Sequence, residues 1–400
     1  MLAVASALGA QAAVTRAFTG FTLIDGTGRA PVSNAVLVVR GGRIVSAGPA
    51  ASVSIPAGAE RVDLSGKTVM PGLVNAHGHV TAPADLTTYA QYGVTTVFSL
   101  GNEPASVFAA RATQNSAALD HARVFLAGPV LAPSTADEAR AMVASDADQK
   151  VDIVKIRVDD NLGTAPKMSP ELYRTVIDEA HKHGMRVATH LFYLGDARLL
   201  LAAGSDFVAH SIRDSVVDAG VIGALKARNV CYVPTLMREV STFVYESTPV
   251  WFSDPLFLSH ANKEWMDSLV LPARQAAMRA SPAAQRYKVA LEMASRNLKA
   301  LSDAGVTIAM GTDTGPTGRF QGYFELMELE LMAAAGLTPA QVITAATRDA
   351  ARCMKVDRDL GTLEAGKWAD FVALDASPLT SISNVRQIAS VWIAGNRVAR

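Results

Sequence analysis

Short runs rich in β-branched and aromatic residues open and close the chain. Phe18–Asp25, Ala35–Arg40 and Arg43–Gly48 are set apart by Gly26-Thr27-Gly28 and Gly41-Gly42, which read as turns. Phe371–Asp375 and Val391–Val398 have the same character at the other end. These runs predict one small β domain, built from residues 17–68 and 359–400 and interrupted by everything between.

The intervening stretch, residues 69–358, alternates apolar strands with helical periodicity. The strand candidates are Val69–Ala76, Val94–Leu100, Arg123–Ala127, Asp152–Val158, Arg186–Leu191, Phe207–Ser211, Val230–Leu236 and Val306–Thr312. Helical patterns such as Pro170–His183, Asp196–Ala203 and Val217–Arg228 separate them. Strands alternating with helices in this number imply a (β/α)8 TIM barrel. The expected fold class is therefore α/β, with the terminal segments forming a small β-sandwich. The last gap, from Leu236 to Val306, is longer than one helix needs. Its residues 237–300 hold Phe243, Tyr245, Trp251, Phe252, Phe257 and Trp265, and read as a helical excursion over the barrel mouth.

Composition narrows the function. The 400 residues include 37 Lys+Arg and 37 Asp+Glu, so the formal net charge is zero. That balance, with a pI near 7.1, argues against a basic nucleic-acid surface. Half of the residues are apolar, yet no run is long enough to suggest a membrane span. Cys231 and Cys353 lie far apart with no CxxC, which argues against a disulfide scaffold and a cysteine-based zinc site. They leave the redox compartment open. Residues 1–16 begin with an apolar, Ala-rich stretch, and Ala10-Gln11-Ala12 has the form of a signal-peptidase site. The pattern predicts a signal-peptide remnant and favours a periplasmic or secreted protein over a cytoplasmic one, although the positive n-region is missing.

Active sites of such barrels lie at the C-terminal ends of the strands. His77 and His79 close the first predicted strand, and their i, i+2 spacing puts both on one face. Lys155 sits in the fourth strand, His190 closes the fifth, His210 the sixth and Asp313 the eighth. A single histidine at a strand end is usually structural, and a single Asp there could cap the next helix. Four histidines and an Asp converging on one rim instead predict a metal site. His121, His181, His183 and His260 fall in helices or connections and read as surface residues.

The motifs Met70-Pro71-Gly72-Leu73-Val74-Asn75-Ala76-His77-Gly78-His79, Val187-Ala188-Thr189-His190, Phe207-Val208-Ala209-His210-Ser211 and Met310-Gly311-Thr312-Asp313 carry a family resemblance. So do Asp152–Ile156 around Lys155 and the tail Gly361–Phe371. On these the chain resembles the amidohydrolase superfamily, in its imidazolonepropionase and prolidase-like branch. The resemblance implies two zinc ions, or another divalent metal. His77, His79 and Asp313 would hold one, His190 and His210 the other, and Lys155 would bridge them as an N6-carboxylysine formed with CO2. Lysine chemistry agrees, since a buried strand amine loses its proton readily and can then add CO2. A single zinc beside unmodified Lys155 is the fallback. Asp313 would also shuttle the proton from water to the leaving amine. The chain departs from the family at Asn75, where relatives often have Asp, and at Phe98-Ser99, where they often have Arg-Asp.

For substrate contacts, Tyr193 follows His190 by three residues and could reach an oxyanion or a carboxylate; Arg213 follows His210 by three and could pair with a carboxylate. A rim position without contact to substrate is the alternative for each. With the aromatic insertion, they suggest a small molecule with an apolar or aromatic side: a dipeptide or an N-acyl amino acid. A cyclic amide, lactone or carbamate hydrolase using the same metals is the alternative reaction. A catalytically dead scaffold is the non-enzymatic one, and the intact ligand set speaks against it. Whether the chain forms a homo-oligomer is left open.

Overall fold

A computed structural model describes residues 14–400. The strands in chain order are β1 (Thr15–Leu23), β2 (Val32–Arg40), β3 (Arg43–Pro49), β4 (Glu60–Asp63), β5 (Thr68–Pro71), β6 (Leu73–Gly78), β7 (Val94–Ser99) and β8 (Arg123–Leu126). Next come β9 (Val130–Leu131), β10 (Val154–Arg157), β11 (Val187–His190), β12 (Phe207–Val208), β13 (Cys231–Tyr232), β14 (Phe371–Leu374), β15 (Ile388–Ile393) and β16 (Asn396–Arg397).

The terminal segments meet in one eight-stranded sheet of order β16-β15-β14-β5-β1-β2-β3, with β4 also pairing β1. Phe18 packs edge-on to Phe371 and Trp392, at 4.9 and 4.8 Å, so both ends of the chain share one core. A single sheet replaces the expected sandwich. The expected leader lies outside the described residues for its first thirteen positions, and Thr15 and Arg16 already belong to β1.

The intervening chain is TIM-barrel-like. Parallel strands run in the orders β6-β7-β8 and β9-β10-β11-β12-β13, with helices between them. The stretch from Thr307 to Thr312 joins the two sheets. Its Ala309 N–H donates to Tyr232, while Ala76 donates to Met310 and Thr312 donates to His77. It bonds through isolated bridges rather than a continuous ladder. Helix starts follow local chemistry: Ser169 caps Pro170–Lys182 by accepting from Leu172 N–H, and Ser281 caps Pro282–Asp303 in the same way.

Three expectations change. The strand predicted at Val69–Ala76 breaks at Gly72, where β5 leaves the terminal sheet and β6 enters the parallel one. Thr95 packs so closely against Gly72 that a Cβ would not fit there. Most aromatics of the 237–300 insertion do not face the barrel mouth. Trp251 and Phe257 are buried against Phe320, Tyr323 and Phe324, forming a packing layer on helix Tyr323–Ala334. Finally, Cys231 and Cys353 form a disulfide, with Cα atoms 5.8 Å apart across a sequence separation of 122. Sequence distance hid their proximity, because β13 and helix Arg348–Cys353 meet only in the folded chain. Among the described residues, no helix is long and apolar enough to cross a membrane.

Candidate metal centre

The strand ends bring the predicted residues together. One ligand atom each from His77, His210 and Asp313 lies within 4.8 Å of the others, in a buried group able to hold a metal ion. The His77 and His210 rings are 4.6 Å apart, His190 and His210 4.1 Å, and His77 and His79 5.7 Å. Lys155 Nζ lies 3.4 Å from His77 Nε2.

Each histidine is held by one ring nitrogen. His77 Nδ1 donates to the Ala209 carbonyl at 2.7 Å, and His79 Nδ1 lies 3.3 Å from the Gly101 carbonyl. His210 Nδ1 meets Thr235 Oγ1 at 2.8 Å, and His190 Nε2 meets Asp159 Oδ2 at 2.8 Å. The other nitrogen of His77 and of His79 faces Asp313 Oδ1, at 3.4 and 2.8 Å. Holding one ring nitrogen in this way is how metal-ligating imidazoles are usually fixed in tautomer and orientation. The donor set of four imidazoles, a carboxylate and a lysine amine therefore fits divalent metal.

Burial sets the protonation states. Desolvation, reinforced by Lys155, pushes His77 down to about 4, and burial pushes His190 down to about 3. His210 is also held well below the usual imidazole range, again chiefly by burial. All three are neutral at pH 7, as metal ligands must be. Burial pushes Lys155 down to about 8, so roughly a tenth of its amine is unprotonated at pH 7, far more than for an exposed lysine. Burial alone would raise Asp313, but Arg319, His77 and His79 outweigh it and hold it well below the usual carboxylate range. Arg319 pairs with Asp313 Oδ2 and also bonds Ser241.

Two residues at the site occupy the left-handed backbone region without being glycine: Asp313 at φ 60° and Thr235 at φ 48°. Thr is β-branched and rarely found there, and such strain concentrates at functional sites. Helix Tyr323–Ala334 restrains both. Glu328 accepts from Leu236 and Met237 N–H at 2.8 and 2.7 Å, fixing the turn that begins at Thr235. One helical turn earlier, Glu325 Oε1 accepts from Asn75, Thr312 and Thr314. Asn75 in turn accepts from His77 N–H at 2.9 Å. This accounts for Asn75: an Asp could not donate to Glu325 and would bury a second carboxylate against it. Phe98 stacks on Phe125, and Ser99 accepts from Val80 N–H, so the other departure is filled by packing and backbone support.

The two expected substrate residues are placed differently. Tyr193 is half-buried beside His190's strand, with its hydroxyl on Asp160 at 2.9 Å; its phenol is pushed up to about 12, by burial first and by Asp160 next. Arg213 is fully buried. It bonds the Leu191 and Ser211 carbonyls, lies 3.0 Å from Glu239 and stacks on Phe192. Those surroundings support a packing role rather than substrate contact. Sequence reasoning missed Asp159, Thr235, Glu325 and Arg238. Asp159 had a usable signal, since it stands two residues past the end of β10 on the same rim. The others sit on a turn and helices whose approach to the site is set only by the tertiary fold.

The amidohydrolase family profile matches residues 68–398. The chain is 25% identical over 391 residues to imidazolonepropionase from Streptomyces coelicolor, covering 92% of each. It is 27% identical over 284 residues to ochratoxinase from Aspergillus niger, covering 67% of this chain and about half of that protein. Among solved structures, a Bifidobacterium longum protein assigned as a prolidase superposes with a TM-score of 0.79 at 28% identity, over 98% of this chain and 96% of the other. A Xaa-Pro dipeptidase shares the fold, with a TM-score of 0.76 at 20% identity, over 96% of this chain and 100% of the other. The chain thus belongs to the amidohydrolase family and is a hydrolase acting on carbon–nitrogen bonds.

Proposed function

We propose that the protein is a zinc-dependent amidohydrolase with a binuclear centre. Its substrate is a dipeptide or N-acyl amino acid carrying an apolar or aromatic side. The observation that carries the reading is the set of four histidines, each tied by one nitrogen, of which His77 and His210 form a buried ligand group with Asp313. His77, His79 and Asp313 would hold one ion and His190 and His210 the other. Lys155 would lie between them after its neutral amine adds CO2 and releases a proton, which converts a repelling cation into an anionic bridge. Bound there, the ions lower the pKa of water and polarise the scissile carbonyl.

The chain's own groups do the rest. Asp313, anchored through Oδ2 by Arg319, keeps Oδ1 toward the centre, where it takes a proton from the attacking water and delivers it to the leaving nitrogen. Asp159 and Thr235 hold the His190 and His210 rings in place during turnover. Tyr193, held through its hydroxyl by Asp160, would orient the substrate. The disulfide supports an oxidising compartment, periplasmic or secreted. Zinc-loaded enzyme should release free amino acid from members of an N-acyl amino acid and dipeptide library; release from none would overturn the substrate class. Full-length similarity to imidazolonepropionase favours a second reading, cyclic-amide hydrolysis, which would yield one ring-opened product and no free amine fragment.

A further inference from the structure

Beside the metal centre, two buried guanidinium groups share one carboxylate. Glu239 is fully buried, with Oε1 3.0 Å from Arg213 Nε and Oε2 3.1 Å from Arg238. These three groups by themselves carry one net positive charge in the interior, which favours an anion joining them. Arg213 bonds two backbone carbonyls and the face of Phe192, with its Nε and Nη2 left without hydrogen-bond partners, and it is sealed off completely from solvent. Arg238 differs in its exposure. Its hydrogen bonds go only to Glu239 and, at 3.3 Å, to the Tyr287 hydroxyl, and its Nε has no partner. Its side chain keeps 8% of its surface, so it borders open space. It stands three residues after Thr235, whose hydroxyl holds His210 Nδ1, which places it beside the catalytic cleft.

Next to it is an apolar wall. Phe192 and Tyr287 pack together with Ala290, and Leu162, Tyr193 and Phe243 lie partly exposed against them. Phe243 is the insertion aromatic that does reach the site side. The Arg238 guanidinium rests 4.6 Å from the Tyr287 ring centre, at the junction of charge and wall.

We propose that Arg238 is the anchor for a substrate carboxylate, and that the Phe192–Tyr193–Phe243–Tyr287 wall receives an aromatic or large apolar side chain next to that carboxylate. The preferred substrates are then N-acylated aromatic or large apolar amino acids with a free α-carboxylate. This rests on the amide-hydrolase reading above and makes it specific. A guanidinium is suited to the role because its planar fork matches a carboxylate. Arg319, the other arginine at the cleft, is committed to Asp313.

The test is titration calorimetry on the metal-loaded protein with three probes that are not N-acyl amino acids, 3-phenylpropanoate, 3-phenylpropanamide and acetate, the amide being checked for ammonia release during the titration. The wild type should bind 3-phenylpropanoate at least about tenfold tighter than either other probe, the lower end of what a hydrogen bond to a charged group supplies. Arg238→Met should bring acid and amide to similar affinities. Arg238→Lys, which keeps the charge, should retain part of the preference and serves if the Met variant does not fold. Phe243→Ala should narrow the gap between phenylpropanoate and acetate. A wild type that does not discriminate acid from amide overturns the proposal. So does an undiminished preference in Arg238→Met or, where that variant does not fold, in Arg238→Lys. Tight acid binding without hydrolysis of any N-acyl amino acid would instead sink the reaction and leave the anchor standing.

Discussion

Asp159→Asn should weaken one metal position selectively. Asp159 is buried, with Oδ2 2.8 Å from His190 Nε2 and Oδ1 2.9 Å from Arg157 Nε. Asparagine keeps an oxygen facing His190 but loses the charge that makes the imidazole a stronger donor to metal. Its amide would also turn donors toward Arg157. Charge-assisted hydrogen bonds are worth about 1.5–3 kcal/mol against about 1 for neutral ones. The difference, on the order of 0.5–2 kcal/mol, corresponds to a roughly twofold to thirtyfold loss in affinity, whose upper part overlaps the usual range for such supporting partners. Asp159→Ala should cost more, because His190 Nε2 would be buried without a partner. Chelator competition with two resolved binding steps reads this directly: one step should weaken and the step assigned to His77, His79 and Asp313 should hold. Two unchanged steps, or two equally weakened ones, would refute the assignment of Asp159 to His190's ion alone.

Asp313→Asn should lower kcat by about 10²–10⁴-fold while at least one metal stays bound, and the acidic limb of the pH–rate profile should disappear. Lys155→Ala should lose most binuclear occupancy and activity, with partial rescue by short carboxylic acids; full activity in the variant would contradict the bridging role. Metal-free protein should lose stability as pH falls from about 6.5 toward 4. The folded pKa values of His77 and His190 lie below the unfolded value, so the unfolded chain binds more protons across that window. Each histidine contributes a slope of up to about 1.4 kcal/mol per pH unit; a flat denaturation midpoint over that range would contradict the buried, neutral assignment. Reducing Cys231–Cys353, or replacing both with Ser, should destabilise the fold by up to roughly 5 kcal/mol, from the entropy of a 122-residue separation. Urea midpoints with and without reductant measure it.

The parallel strands and the metal-site residues were legible because each histidine stands at the end of an apolar strand run, and parallel strands share one rim. The split at Gly72 was not, because Val69–Ala76 is one unbroken apolar pattern and only the packing of Thr95 shows where the chain changes sheets. The insertion aromatics misled for a related reason. Trp251 and Phe257 are equally suited to a cleft or to a core, and the partner that decides, helix Tyr323–Ala334, comes later in the chain. Arg213 was singled out on its distance from His210 alone. Its burial and its pairing with Glu239 cannot be read from spacing, and Arg238 went unnoticed for the same reason.

The most direct test of the central claim is the metal content of protein produced with zinc and bicarbonate, measured by elemental analysis on wild type and Lys155→Ala side by side. The account predicts about two metals per chain in the wild type and at most one in the variant. A wild-type value of one or fewer, or a variant that still holds two, would contradict a binuclear centre bridged by Lys155.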